Sequence, residues 1–226
     1  MFIPLHDHNA LDHIVRPYVN WSIIAVTVLV YAVFQSGLVF DAMWATVRSY
    51  GMIPSVITDR VQLPPGIQHL PEETTLFTYA FLHGSWWHLI GNMLFVYVFG
   101  DNIEDAVGHF KYLLFYLLAA AGGAAMHVLI QPGSNLPLVG ASGAAAGIVA
   151  AYLLLHPHVK VWVLAFGRIP LRLPALWVLG AWIAWQIVQI ILMADVEVAW
   201  WAHVGGILSG AVLIFILRRP GVKLFT

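Results

Sequence analysis

At 226 residues the chain is long enough for one or two water-soluble domains, but 61% of it is hydrophobic and only 9% is charged. A soluble domain carries roughly 25% charged residues, so most of this chain has no surface to offer water. Ten Lys and Arg against eleven Asp and Glu leave no basic field for nucleic acid, and the absence of cysteine excludes disulfides, thiolate metal sites and thiol catalysis.

The apolar residues gather into runs long enough to cross a bilayer core of about 30 Å. Residues 1–20 lack a Lys/Arg-led start and a small-residue cleavage site, so they read as an N-terminal cytoplasmic segment before a retained first span over 21–40. Residues 41–75 form a long loop in which Pro54, Pro64, Pro65 and Pro71 rule out one continuous helix. The second span starts at Ser85, a good helix cap, and is expected to end at the Gly100–Asp101 break. The third covers about 110–130 and stops at Pro132-Gly133. The fourth runs over 138–155, the fifth over 173–194 and the sixth over 198–217, followed by a short tail at 218–226. The expected fold is therefore all-α, a six-helix transmembrane bundle over 21–217.

Charge sets the orientation. With both termini on the inner side, the inner segments hold Arg16, Lys111, Lys160, Arg168, Arg172, Arg218, Arg219 and Lys223, and the outer loops hold only Arg48 and Arg60. Such a bias marks the cytoplasmic face and favours an even number of spans.

A polar side chain inside a span is costly unless it faces the bundle interior. Four stand out: His88 and Asn92 in the second span, Ser142 in the fourth and His203 in the sixth. All three spans start at the outer face, so these residues share one level. Ser142 and His203 lie roughly 5–8 Å below the outer edge at 1.5 Å per residue. Ser142 sits in Gly140-Ala141-Ser142-Gly143 at a helix start, where free N–H groups can stabilise an oxyanion. Small residues of this kind also serve plain helix packing. His203 sits in Ala202-His203-Val204-Gly205-Gly206 and can serve as the base that a serine nucleophile needs. The glycine pairs Gly143/Gly147 and Gly206/Gly210 offer matched faces on which the fourth and sixth spans can approach, bringing His203 within reach of Ser142. His88 and Asn92 lie four apart on one helix face, placed either to donate to an oxyanion or to bridge helices. No Asp or Glu lies in the outer half of a span, so a Ser–His dyad is expected, with Asp101, Glu104 and Asp105 too far to the inner side to orient His203. His6, His8 and His13 are read as solvated residues of an unstructured tail and not as a metal site.

Taken together, Phe81-Leu82-His83-Gly84 through His88-Leu89-Ile90-Gly91-Asn92-Met93, the Gly140–Gly143 motif and Ala199-Trp200-Trp201-Ala202-His203-Val204-Gly205-Gly206 resemble the rhomboid family of intramembrane serine proteases, in its bacterial type. The resemblance covers about 75–210. It implies a six-helix bundle in the bacterial inner membrane with its active site open to the outer face, and no cofactor. It also implies transmembrane protein substrates, with His88 and Asn92 lining the oxyanion site. One departure is Ala146, where some members carry a tyrosine that packs on the catalytic histidine; Trp200 or Trp201 is expected to orient His203 instead. Two other readings compete. A catalytically inactive rhomboid-like protein that binds membrane helices would typically lack the serine or the histidine. A channel would need polar groups through the full depth of the bilayer.

Overall fold

The computed structural model describes residues 2–67, 69–192 and 199–226. Among these, six helices of thirteen residues or more form the body: α1 (Tyr18–Val30), α5 (Trp86–Val107), α6 (His109–Ile130), α7 (Ser142–Leu155), α8 (Ala175–Ile191) and α9 (Trp200–Leu217). Between α1 and α5 lie the short helices α2 (Met43–Tyr50), α3 (Pro54–Ile57) and α4 (Thr75–Thr78). The first span continues as one π-helical stretch to Gln35, and with it reaches 18 residues. That stretch, α6 and α9 are each long and apolar enough to cross a membrane, while α7 and α8 are shorter apolar helices.

The chain departs from the sequence expectation in several places. The second span does not end at Gly100–Asp101: α5 runs seven residues further, to Val107, and stops at Gly108, whose φ of 91° breaks the helix. The reason is that Glu104 and Asp105 are not solvated there but buried, with partners in the N-terminal segment. Glu104 accepts the backbone N–H groups of Val19 (3.0 Å) and Asn20 (2.7 Å), at the start of α1. The Asn20 side chain donates to Val96 O (3.0 Å) and accepts from the Tyr112 hydroxyl (2.7 Å), so one asparagine ties α1 to α5 and α6. The fourth span starts at Ser142, four residues later than expected. The point where the fifth span was expected to end and the sixth to begin falls in 193–198, outside the described residues.

The N-terminal tail is not unstructured. Residues 2–7 form β1, which pairs antiparallel with β2 (Lys160–Ala165), and β2 pairs antiparallel with β3 (Ile169–Pro174). This three-stranded sheet in the order β1-β2-β3 sits at the α7–α8 connection. Its signal is present in Lys160-Val161-Trp162-Val163-Leu164-Ala165, where Val161, Val163 and Ala165 alternate inward and are buried. The Asp7 carboxylate accepts the Tyr152 hydroxyl of α7 (2.6 Å). Asp105 accepts the N–H groups of Asp12 (3.1 Å), His13 (2.7 Å) and Ile14 (2.8 Å), and His13 Nδ1 lies 3.0 Å away. His6 and His8 meet edge to face at 5.1 Å, while His13 is turned toward Asp105.

Hydrogen bonds to a charged acceptor contribute about 1.5–3 kcal/mol each, so Asp105→Ala is expected to release residues 12–14. Limited proteolysis should then cut the N-terminal segment, while the helical body stays intact. Equal protection in Asp105→Ala at neutral pH would show that the carboxylate does not hold the segment.

Candidate active site

Ser142 is the first residue of α7, with Ala141 as its N-cap. The segment leading into it is held from three sides. Met52 and Leu138 exchange backbone hydrogen bonds (3.1 and 2.7 Å), Gly140 N–H donates to Tyr79 O (3.0 Å), and Ala141 N–H donates to His83 Nε2 (3.3 Å). The long 41–75 loop takes part: Ser55 binds Ser134 O through its N–H (3.0 Å) and the Asn135 side chain through its hydroxyl (2.7 Å). A first-turn helical serine leaves its own N–H and those beside it without intrahelical acceptors.

His88 and Asn92 lie at the start of α5, whose N-cap Ser85 accepts the His88 N–H (3.1 Å). Asn92 Nδ2 donates to His88 O (3.1 Å) within the helix. Both side chains face the Ser142 loop. A Cβ on Gly140 would lie 2.7 Å from His88 Cε1 and Nε2 and 3.7 Å from Asn92 Nδ2. Gly140 also has φ +124°, so glycine is required there for conformation and for space. The sequence reading grouped Gly140 with the helix-packing glycines, and this is corrected: it lies before α7 and seats the His88 ring. His83 is fully buried, and its ring meets that of His88 at 5.0 Å.

The other four glycines do bring helices together. A Cβ on Gly206 would fall 1.9 Å from Gly143 O and 3.2 Å from Gly143 Cα, and one on Gly210 would fall 2.4 Å from Gly147 Cα. The backbones of α7 and α9 therefore touch, with His203 one turn before Gly206. Gly205 is equally confined, but by α6: its Cβ would meet Gly122 O at 2.4 Å and Met126 Cβ at 2.6 Å. The Gly122–Gly123 pair of α6 was not foreseen as part of this junction, although two adjacent glycines in an apolar helix are a signal for close packing.

His203 is 8% exposed. Its Nδ1 lies 2.7 Å from Gln186 Oε1 on α8. The Trp200 ring stands edge-on to it at 5.7 Å and Trp182 lies at 6.2 Å. Trp200 thus meets the ring as expected, whereas Gln186 and Trp182 were missed. Gln186 carried a readable signal, being a polar side chain in the apolar run Ala175–Ile191. Ala146, one turn after Ser142, is fully buried. Among the described residues no hydrogen bond joins Ser142 Oγ to His203, so the helices make the expected approach without that bond. Such bonds are often long in free enzymes and tighten on binding.

With this geometry in view, comparison with known proteins adds one decisive match: a Rhomboid domain over residues 71–220, or 150 of 226 residues. The chain belongs to the rhomboid family. The mitochondrial Rhomboid protein 1 of Saccharomyces cerevisiae is 22% identical over 201 residues, covering 85% of this chain and 51% of that protein. The mitochondrial RHOMBOID-like protein 6 of Arabidopsis thaliana is 32% identical over 146 residues (65% and 44%). The chloroplastic Rhomboid-like protein 11 of the same plant is 38% identical over 78 residues (34% and 28%). This rhomboid chain thus spans about half or less of the length of these curated relatives.

Overpacking a tight contact costs about 1–3 kcal/mol, and a shift of about 1 Å in a reacting pair can cost on the order of 10²-fold in rate. Gly206→Val is therefore expected to cut turnover per folded molecule sharply while the protein still inserts. From the sequence alone, Gly205→Val would be milder unless its face also packs. It does pack, on α6, so Gly205→Val should lower thermal stability in detergent to a similar degree. Near-normal turnover in Gly206→Val would disprove the link between this contact and the site.

Proposed function

We propose that this rhomboid is an intramembrane serine endopeptidase that cleaves peptide bonds in or near the transmembrane segments of membrane-protein substrates. The observation that supports the reading is the backbone contact of Gly143 with Gly206, the first next to a helix-start serine and the second one turn from a buried histidine. Ser142 Oγ attacks the scissile carbonyl carbon as its proton passes to His203 Nε2. The tetrahedral oxyanion takes hydrogen bonds from N–H groups at the α7 start and from His88 and Asn92. Collapse breaks the C–N bond, and His203 gives the proton to the leaving amine. Water then repeats the sequence on the acyl-enzyme. No cofactor enters these steps.

The second reading, a catalytically inactive rhomboid-like protein that binds membrane helices, draws on the missing Ser142–His203 hydrogen bond. A fluorophosphonate probe separates the two. Under the protease reading it labels the wild type and not Ser142→Ala, and Ser142→Ala and His203→Ala each abolish cleavage of a membrane-anchored substrate. The double variant should be no worse than either single, because the pair acts as a unit. An unlabelled wild type that still binds a transmembrane peptide would favour the inactive reading.

For topology, we infer six crossings with both termini on the side that carries eight of the ten Lys and Arg and Ser142 near the opposite face. The organellar names of the relatives do not support the bacterial inner membrane expected from the sequence, and the membrane assignment is kept without that compartment. Reporter fusions at residue 160 and at the C-terminus should read on the same side, and a fusion near residue 62 on the other. A common reading for all three would overturn the topology.

A further inference from the structure

We propose that Gln186 is a positioning residue for His203, acting as the neutral third member of the Ser142–His203 pair; this rests on the protease reading above. Gln186 is 3% exposed. Its Nε2 donates to Trp182 O, one turn earlier on α8, at 3.2 Å. A carbonyl oxygen can only accept, so this bond fixes which end of the amide is the NH2 group and turns Oε1 toward His203. Oε1 in turn can only accept, so the hydrogen across the 2.7 Å contact belongs to His203 Nδ1. The neutral imidazole then has a bare Nε2, the nitrogen that must take the proton from Ser142 Oγ. When it does, the imidazolium carries hydrogens on both nitrogens and Gln186 Oε1 still accepts one of them.

The surroundings support a fixed ring. Trp182 and Gln186 lie four apart on one face of α8, and Trp182 lies 6.2 Å from the ring while Trp200 stands edge-on at 5.7 Å. His203 is buried, with Gln186 Oε1 as the acceptor beside Nδ1. This is the task that a carboxylate performs in a Ser-His-Asp triad, holding tautomer and orientation, here done by an uncharged amide. A plain structural bridge between α8 and α9 would use the same bond, so the test must read something that bridging does not set.

The experiment uses the full chain in proteoliposomes with a membrane-anchored substrate. It compares the wild type with Gln186→Met, which keeps length but loses the acceptor, and Gln186→Glu, which keeps an acceptor oxygen at the same reach. Gln186→Met is expected to lower kcat roughly 10- to 10²-fold, with KM and the thermal midpoint near wild type, and Gln186→Glu to restore much of the loss. Nitrogen NMR of histidine-labelled protein should show His203 protonated at Nδ1 in the wild type and a tautomer mixture in Gln186→Met. Wild-type turnover by Gln186→Met, or a wild-type His203 protonated at Nε2, overturns the inference. If the probe labels Ser142 yet Gln186→Met turns over normally, only the role of Gln186 falls. If Ser142 does not label in the wild type, the protease reading falls and the positioning role with it, whichever tautomer His203 holds.

Discussion

The closest constraint in the molecule is backbone against backbone where α6, α7 and α9 meet. Gly143 lies under Gly206, Gly147 under Gly210, and Gly205 under Gly122, each too tight for a methyl group. Lipid tails are as apolar as leucine, so helices in a bilayer gain little from hiding apolar surface and rely on close packing. Here the same packing does chemical placement. Ser142 is adjacent to Gly143 and His203 is one turn from Gly206, so side chains on separate helices are located by contacts between atoms that cannot rotate away.

The polar groups then sort by helix end. His88, Ser142 and His203 lie in the first turns of α5, α7 and α9, with Asn92 one turn further along α5. Helix starts offer N–H groups and partial positive charge, which suits an oxyanion. Glu104 and Asp105 lie at the opposite end of α5. Asp105 is thirteen residues from Asn92, about 20 Å along α5 at 1.5 Å per residue. There Glu104 and Asp105 fasten the start of α1 and the preceding segment. These two carboxylates are used where backbone donors need an acceptor.

What the sequence made legible follows from which forces are local. The apolar runs gave the six long helices because bilayer thickness fixes their length, and the motifs around His88, Ser142 and His203 gave the residues placed together at one end. Missing were features that depend on a distant partner. The extension of α5 past Gly100 needs the N-terminal segment as the partner of Glu104 and Asp105, and β1 needs β2, whose Val161 pairs with Asp7 from 154 residues further along the chain. Gln186 is less legible for another reason: glutamine carries no formal charge and belongs to none of the motifs around the histidines and the serine. The rule that polar groups in apolar helices need a reason applies to it equally.

Among the described residues the group that meets His203 Nδ1 is an amide and not a carboxylate. An ionised carboxylate in a low-dielectric site costs several kcal/mol unless fully paired, and His203 neutral in the resting site would not pair it. An amide avoids that cost and still supplies one directed acceptor, with its own NH2 group satisfied by the Trp182 carbonyl. It stabilises an imidazolium less than a carboxylate would, since charge-assisted bonds are roughly twice as strong as neutral ones. Under the proposed protease reading, more of the work would then fall on the donors: the α7 start, His88 and Asn92 would stabilise the oxyanion that forms together with the imidazolium. Neutral orientation on one side and strong anion stabilisation on the other would be two parts of one electrostatic solution for a charge-separated intermediate inside a bilayer.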